Sequence, residues 1–193
     1  MLHHDLLVTD DNVLDAAATV LGRLGIGGTT AEAIAAEAGL NRVTLYRRGL
    51  SPQRLVGDLV VRAGERFREA MWPAMTSSGT GRERLQAALE ALCDVAEEEL
   101  EVLAALFDGP TSVFHIELPD GATTSFEFID PIRRLLLDGQ SDGSIRQLDL
   151  DDTAELLFNQ VGWSYVHMRR THGWPADRCR RLVVDLAVAG VAA

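Results

Sequence analysis

Gly39-Leu40-Asn41-Arg42-Val43-Thr44-Leu45-Tyr46-Arg47-Arg48 is the stretch from which the rest of this chain is read. Just before it, Thr29 to Ala38 is Ala-rich and predicts a short helix, with Thr29 and Glu32 at the spacing of a capping box. Gly39 suits the left-handed position that ends such a helix. Asn41 suits the N-cap of the next helix, its side-chain oxygen accepting from a free backbone N–H. The expectation is helix, tight turn, helix. The second helix carries Arg42, Thr44, Tyr46, Arg47 and Arg48, while Leu40 and Leu45 face the first helix and the body of the domain. Arg, Thr and Tyr so placed can meet phosphates and base edges, as the second helix of a helix-turn-helix must.

The pattern Thr-Thr-x4-Ala-x3-Gly-Leu-Asn-x2-Thr-Leu-Tyr-Arg, beginning at Thr29, resembles the N-terminal DNA-binding domain of the TetR family of bacterial transcriptional regulators. The resemblance covers roughly residues 10 to 60. It implies an all-α protein of about nine helices, with a three-helix helix-turn-helix domain over 1–56 and a helical effector-binding and dimerisation domain over 57–193. The implied partners are a double-stranded, palindromic DNA operator, a small apolar effector and a second copy of the chain. The DNA-binding candidates are Thr30, Asn41, Arg42, Val43, Thr44, Tyr46, Arg47 and Arg48. Thr44, Tyr46 and Arg48 match family positions that hold phosphates. Arg42, in the first turn of the second helix, is placed to pair with a guanine, and Val43 to meet a thymine methyl.

The chain departs from the family after Arg47. A His-Phe pair and a Ser-Lys are usual there, whereas this sequence has Arg48-Gly49-Leu50-Ser51-Pro52. Arg48 still offers a fork of donors to a phosphate. Ser51 as cap with Pro52 at the first helical position is a sound helix start, at the loss of one positive charge and one N–H. Gly49 in place of Phe deletes an apolar anchor.

The chain has 193 residues, 47% of them apolar and 24% charged, enough for a small domain joined to a larger one. Its net charge of −11 taken alone argues against nucleic acid. The distribution reverses that: residues 1–38 hold six acids and one Arg, 39–68 two acids and seven Arg, and 69–193 twenty-one acids and ten Arg. The positive window begins with the proposed recognition helix, so local charge favours phosphate contact. Arg62, Arg66 and Arg68 are read instead as a solvated face of helix four. Every basic residue is Arg. Two distant cysteines, Cys93 and Cys179, each inside an expected helix, suit a reduced cytoplasmic protein. The apolar run near Met1 lacks a basic flank and is too short for a signal peptide, and no stretch is long enough to span a bilayer.

Taken in order, helix one is expected from about Asn12 to Gly22, before a Gly25-Gly27-Gly28 turn. Helix four starts at Ser51-Pro52 and carries Leu55, Leu59, Phe67 and Met71 before Pro73 stops it. Helix five runs from Arg82 to Phe107 with Glu97, Glu98, Glu99 and Glu101 mostly facing water. Residues 111–125 are irregular. Helix seven, about Ser125 to Asp138, contains Pro131, and Gly139 to Ser144 breaks the chain. The last two helices, Asp151 to about Thr171 and Pro175 to about Val191, are apolar around much of their circumference. They are read as the subunit contact, two from each chain packing as a four-helix bundle.

No Cys or His spacing fits zinc and no nucleophile arrangement appears. His167 and His172, five apart, are expected on different faces. The chain is therefore read as a non-enzyme with no cofactor and no metal. The aromatics Phe107, Phe114, Phe126, Phe128, Trp163 and Tyr165 fall in the second domain. From these and their polar neighbours come the effector candidates Cys93, Phe107, His115, Phe126, Asn159, Gln160, Trp163 and His167. The alternatives are an all-helical small-molecule-binding protein with weakened DNA binding, at which Gly49 and Pro52 hint, and a helical enzyme.

Overall fold

The computed structural model describes residues 10–107 and 124–193. Among them nine α-helices follow one another: α1 Asp11–Gly28, α2 Ala31–Glu37, α3 Arg42–Arg47, α4 Pro52–Thr76, α5 Gly81–Glu98, α6 Leu100–Phe107, α7 Thr124–Asp142, α8 Leu150–Arg170 and α9 Ala176–Val191. Their one extended pairing among the described residues is a bridge between Ile145 and Ala192. The all-α reading holds. The irregular segment expected at 111–125 lies largely outside the described residues.

Most helix starts follow from local side-chain chemistry. The side chain of Asp10 accepts from the Asn12 N–H, Asn41 from Val43, Ser51 from Arg54 and Asp149 from Asp152. Thr80 and Glu83 form a reciprocal capping box at the head of α5. One start is displaced by a residue. Thr30, not Thr29, caps α2 by accepting from the Ala33 N–H at 3.2 Å, so the expected Thr29–Glu32 box does not form. The cause lies upstream. The first helix continues past Gly22, kinks at Gly25 where φ is 67°, and runs to Gly28, so Thr29 becomes its C-cap and donates its hydroxyl to the Gly25 carbonyl at 2.7 Å.

Three further boundaries differ from expectation. Pro73 does not stop α4, which continues to Thr76 with Ala74 buried beyond the proline. Likewise α7 runs through Pro131 and past Gly139 to Asp142, where a carboxylate oxygen of Asp142 accepts from the Gly81 N–H at 2.6 Å and helps to satisfy the start of α5. The single helix expected from Arg82 to Phe107 is two, broken at Glu99 (φ −103°, ψ 19°). Glu99 does not face water. It is 4% exposed and turns inward to the guanidinium groups of Arg66 and, at 3.9 Å, Arg62. Arg62 also meets Asp15 of α1 at 2.6 Å. These two arginines are thus structural ion-pair partners rather than a solvated face.

Burial divides into two clusters. One gathers Val13 and Leu21 of α1, Ile34 of α2, Leu45 of α3, and Leu55 and Leu59 of α4, and takes in Val102 and Leu106 from α6. Leu45 is fully buried, which contributes about 1.5–3 kcal/mol and pins the short α3 to its domain. The other cluster lies among the later half of α4, α5, α7, α8 and α9. Cys93 and Cys179 are free and buried in it. Burial pushes the Cys93 thiol up to about 12 and raises that of Cys179, so both stay protonated near neutral pH. The last two helices bury Val161, Tyr165, Val184 and Ala187, yet leave Leu156 64% and Leu186 68% exposed.

Candidate nucleic-acid interface and apolar cavity

The turn between α2 and α3 forms as its residues dictate. Gly39 adopts φ 66°, open to glycine at little cost, and the Leu40 N–H closes back on the Ala35 carbonyl at 2.8 Å. Asn41 then accepts from the Val43 N–H at 2.9 Å and starts α3. With Leu45 buried beneath, Val43 is 60% and Tyr46 53% exposed, beside exposed Arg42, Arg47 and Arg48. Thr44 is half-buried, and Thr30 is exposed at the cap of α2.

The cations of this face differ in their partners. Arg42 pairs with the Glu32 carboxylate of α2, donates to the Tyr46 hydroxyl at 3.3 Å and lies 5.1 Å from the centre of the Tyr46 ring. The Tyr46 hydroxyl and the Glu32 carboxylate favour the charged guanidinium and raise its pKa. The intramolecular pair that competes with base reading is therefore present in the free protein. Arg48 lies 3.5 Å from Asp10. Arg47 has no such partner among the described residues. The anchor expected to be lost with Gly49 is supplied one position on: Gly49 takes φ 67°, and Leu50, 4% exposed, enters the N-terminal cluster.

A second concavity lies in the other half of the molecule. Phe67 of α4, Leu92 and Val95 of α5, Phe128 of α7, and Phe158 and Trp163 of α8 are among the walls of a cavity of about 70 Å³. Among the described residues, Trp163 is the one effector candidate that lines it. Asn159 and Gln160 are exposed, because α8 turns Val161 and Val166 inward instead. Asn159 accepts from the Trp163 indole N–H at 3.1 Å and donates to the Glu155 carbonyl. His167 is exposed as well, and its ring meets that of His172 at 5.1 Å between centroids. Helix α8 ends at Arg170, so helical spacing does not separate them. Cys93 is fully buried beyond the cavity wall. His115 and the side chains of Phe107 and Phe126 lie outside the described residues. Tyr165 donates to the Glu97 carboxylate at 2.9 Å and is part of the core.

Residues 13–48, which hold most of α1 together with α2, the turn and α3, match the family described as bacterial regulatory proteins, tetR family. The N-terminal helices therefore carry the signature of that family. Solved structures with the same fold include the TetR-family transcriptional regulator PfmR from Thermus thermophilus, 19% identical, with 92% of this chain and 97% of that one covered and a TM-score of 0.74. The fatty acid degradation regulator FadR from Bacillus halodurans superposes at TM-score 0.78 with 17% identity, covering 93% and 94% of the two chains. The ketosteroid transcriptional regulator KstR2 of Mycobacterium tuberculosis does so at 0.71 with 21% identity, covering 96% and 97%. Among curated proteins no sequence relative matches the chain. The family match over residues 13–48 supports a DNA-binding role for the exposed face of α3. No helix among the described residues is long and apolar enough to cross a membrane.

The sequence alone did not single out Glu32 as a partner of Arg42, nor Phe67, Phe158 and Gly162 as cavity walls. Glu32 and Arg42 sit on separate helices, so only the angle of the turn brings them together. Phe67 and Phe158 carry the ordinary signature of core side chains. The signal that was available is Gly162, a glycine inside an otherwise apolar helix.

Proposed function

We propose that this protein is a homodimeric repressor that binds a palindromic operator through α3 and leaves it when a small apolar effector enters the cavity. The observation that carries the reading is the capped recognition helix, which buries Leu45 while leaving Arg42, Val43, Tyr46 and Arg47 in solvent. Arg47 meets DNA without first giving up a partner among the described residues. Arg42 exchanges Glu32 for a guanine, and Arg48 exchanges Asp10 for a phosphate. Exposed Leu156 and Leu186 support a subunit contact through α8 and α9, since large apolar side chains on a terminal pair favour a partner. We place the division between DNA-binding and effector domains at residues 56/57, in the first turns of α4.

The coupling follows from shared walls. Val60 and Leu106 line the cavity and also belong to the N-terminal cluster, so a ligand that displaces them displaces α4 and α6 against α1. Two half-sites one turn apart require recognition helices about 34–36 Å apart, and a change of a few ångströms breaks simultaneous contact.

Selection of binding sites from random DNA by the purified protein, followed by titration of variants at several salt concentrations, tests the DNA reading. Arg42→Ala should weaken binding by roughly 1–3 kcal/mol per half-site and relax preference at one base position. Arg48→Ala should weaken all sequences alike and flatten the salt dependence by about one unit per half-site. Failure to enrich any sequence overturns the proposal. Equal distances between spin labels at position 47 in DNA-bound and effector-bound dimers would sink the switching mechanism.

A further inference from the structure

We infer that the cavity takes an uncharged ligand bearing a single aromatic ring, and that Gly162 sets the room for it. The inference rests on the effector reading above and specifies its ligand. Among the described residues every wall of the cavity is a Gly or an apolar side chain, and the lone polar side-chain atom in that lining, the Trp163 indole nitrogen, donates to Asn159. A carboxylate or ammonium inside would be stripped of water with nothing among the described walls to pair with, which disfavours charged groups far more strongly than it favours any neutral one.

Shape narrows the class further. Three phenyl rings adjoin one another: Phe67 and Phe128 at 5.5 Å between centroids, Phe67 and Phe158 at 6.0 Å with planes 81° apart, and Phe128 and Phe158 at 5.5 Å. Such a wall offers both ring edges and ring faces, so a further ring gains contacts that a saturated ring of equal size does not. The cavity's 70 Å³ is well below the several hundred Å³ of pockets that enclose drug-sized ligands, so it has room for no more than one ring and none for a fused polycycle.

Gly162 supplies part of the space. It lies inside α8 in the cavity wall, and among the described residues a β-carbon built on it would meet only Leu92 Cδ2, at 4.0 Å. A side chain there would project into the void without displacing backbone. Alanine would also favour the helix, so the glycine costs stability that a sequence concerned only with packing would recover.

The test is calorimetric titration and thermal shift of the full chain without DNA, using toluene, methylcyclohexane and benzoate as probes. Toluene should bind saturably and, at ten times its Kd, raise Tm by about 3–5 °C. Methylcyclohexane should bind more weakly and benzoate not measurably. Gly162→Ala should match or exceed the wild-type Tm without ligand, which reports an intact fold, yet bind toluene at least about fivefold more weakly, and Gly162→Leu should not bind it. No saturable toluene binding, equal binding of benzoate or methylcyclohexane, or undiminished toluene affinity in Gly162→Ala would each overturn the inference. Toluene binding without any operator binding would overturn the repressor reading and leave this one standing. Operator binding without toluene binding would do the reverse.

Discussion

Replacing Glu99 by Gln removes a buried negative charge at the junction of α5 and α6 while keeping the side chain's volume. The carboxylate is 4% exposed, held by Arg66 and lying 3.9 Å from Arg62, so the substitution leaves two guanidinium groups facing an amide. Breaking a fully buried ion pair by removing one partner costs about 3–5 kcal/mol. That figure is too large here, because the Arg66 side chain is 42% exposed and Arg62 keeps Asp15 at 2.6 Å. What is lost is closer to a hydrogen bond to a charged group, about 1.5–3 kcal/mol. For a chain of this size each kcal/mol moves Tm by about 2–4 °C, so Glu99→Gln should melt about 3–12 °C below wild type in a circular-dichroism or calorimetric scan. Arg66→Met should also destabilise, and the double variant should be more stable than the two single losses added together, because the charges are coupled. A Tm within about 1 °C of wild type, the range of an indifferent surface change, would mean that Glu99 does not hold the two halves of the molecule together.

Glu97 accepts from Arg169 at 2.7 and 2.5 Å and from the Tyr165 hydroxyl at 2.9 Å, and the Arg169 hydrogen bond leads in holding its carboxyl below the ordinary range. A folded-state pKa below the unfolded value of about 4.3 gives stability that is present above that pH and lost as pH falls through the folded value. Glu97→Gln should therefore lie below wild type in urea midpoint at pH 6 and approach it at pH 3, and a constant gap at both would contradict the linkage. Gly39→Ala forces a β-carbon into φ 66° with nothing of the described residues within 4 Å, so its cost is backbone strain, about 1–2 kcal/mol. An unchanged chemical-denaturation curve would show that the turn relaxes. Leu186→Arg touches a side chain that is 68% exposed in the single chain, so folding should survive while sedimentation changes from dimer to monomer; an unchanged dimer would place the contact elsewhere.

The parts of this protein that could be read in advance are those whose causes lie within a few residues of one another. Gly39 ending α2, Asn41 capping α3, Leu45 turned inward two turns before the Ser51-Pro52 start of α4: each is a short-range steric or hydrogen-bonding preference, and together they specify the helix-turn-helix and its exposed arginines. Apolar periodicity placed most of the longer helices in the same way, though it ran α5 and α6 together as one. Tertiary structure decided the rest, because distant groups competed with local preference and won. Glu99 breaks a helix that its own neighbours would continue, since two arginines 33 and 37 positions earlier draw it inward. Arg42 is held by Glu32 only because the turn sets α2 and α3 at an angle. Asn159 and Gln160 sit one turn from Trp163 in sequence, yet packing turns them to solvent and the indole to the cavity. The composition of α8 permits either outcome; the positions of α5 and α9 against it select one.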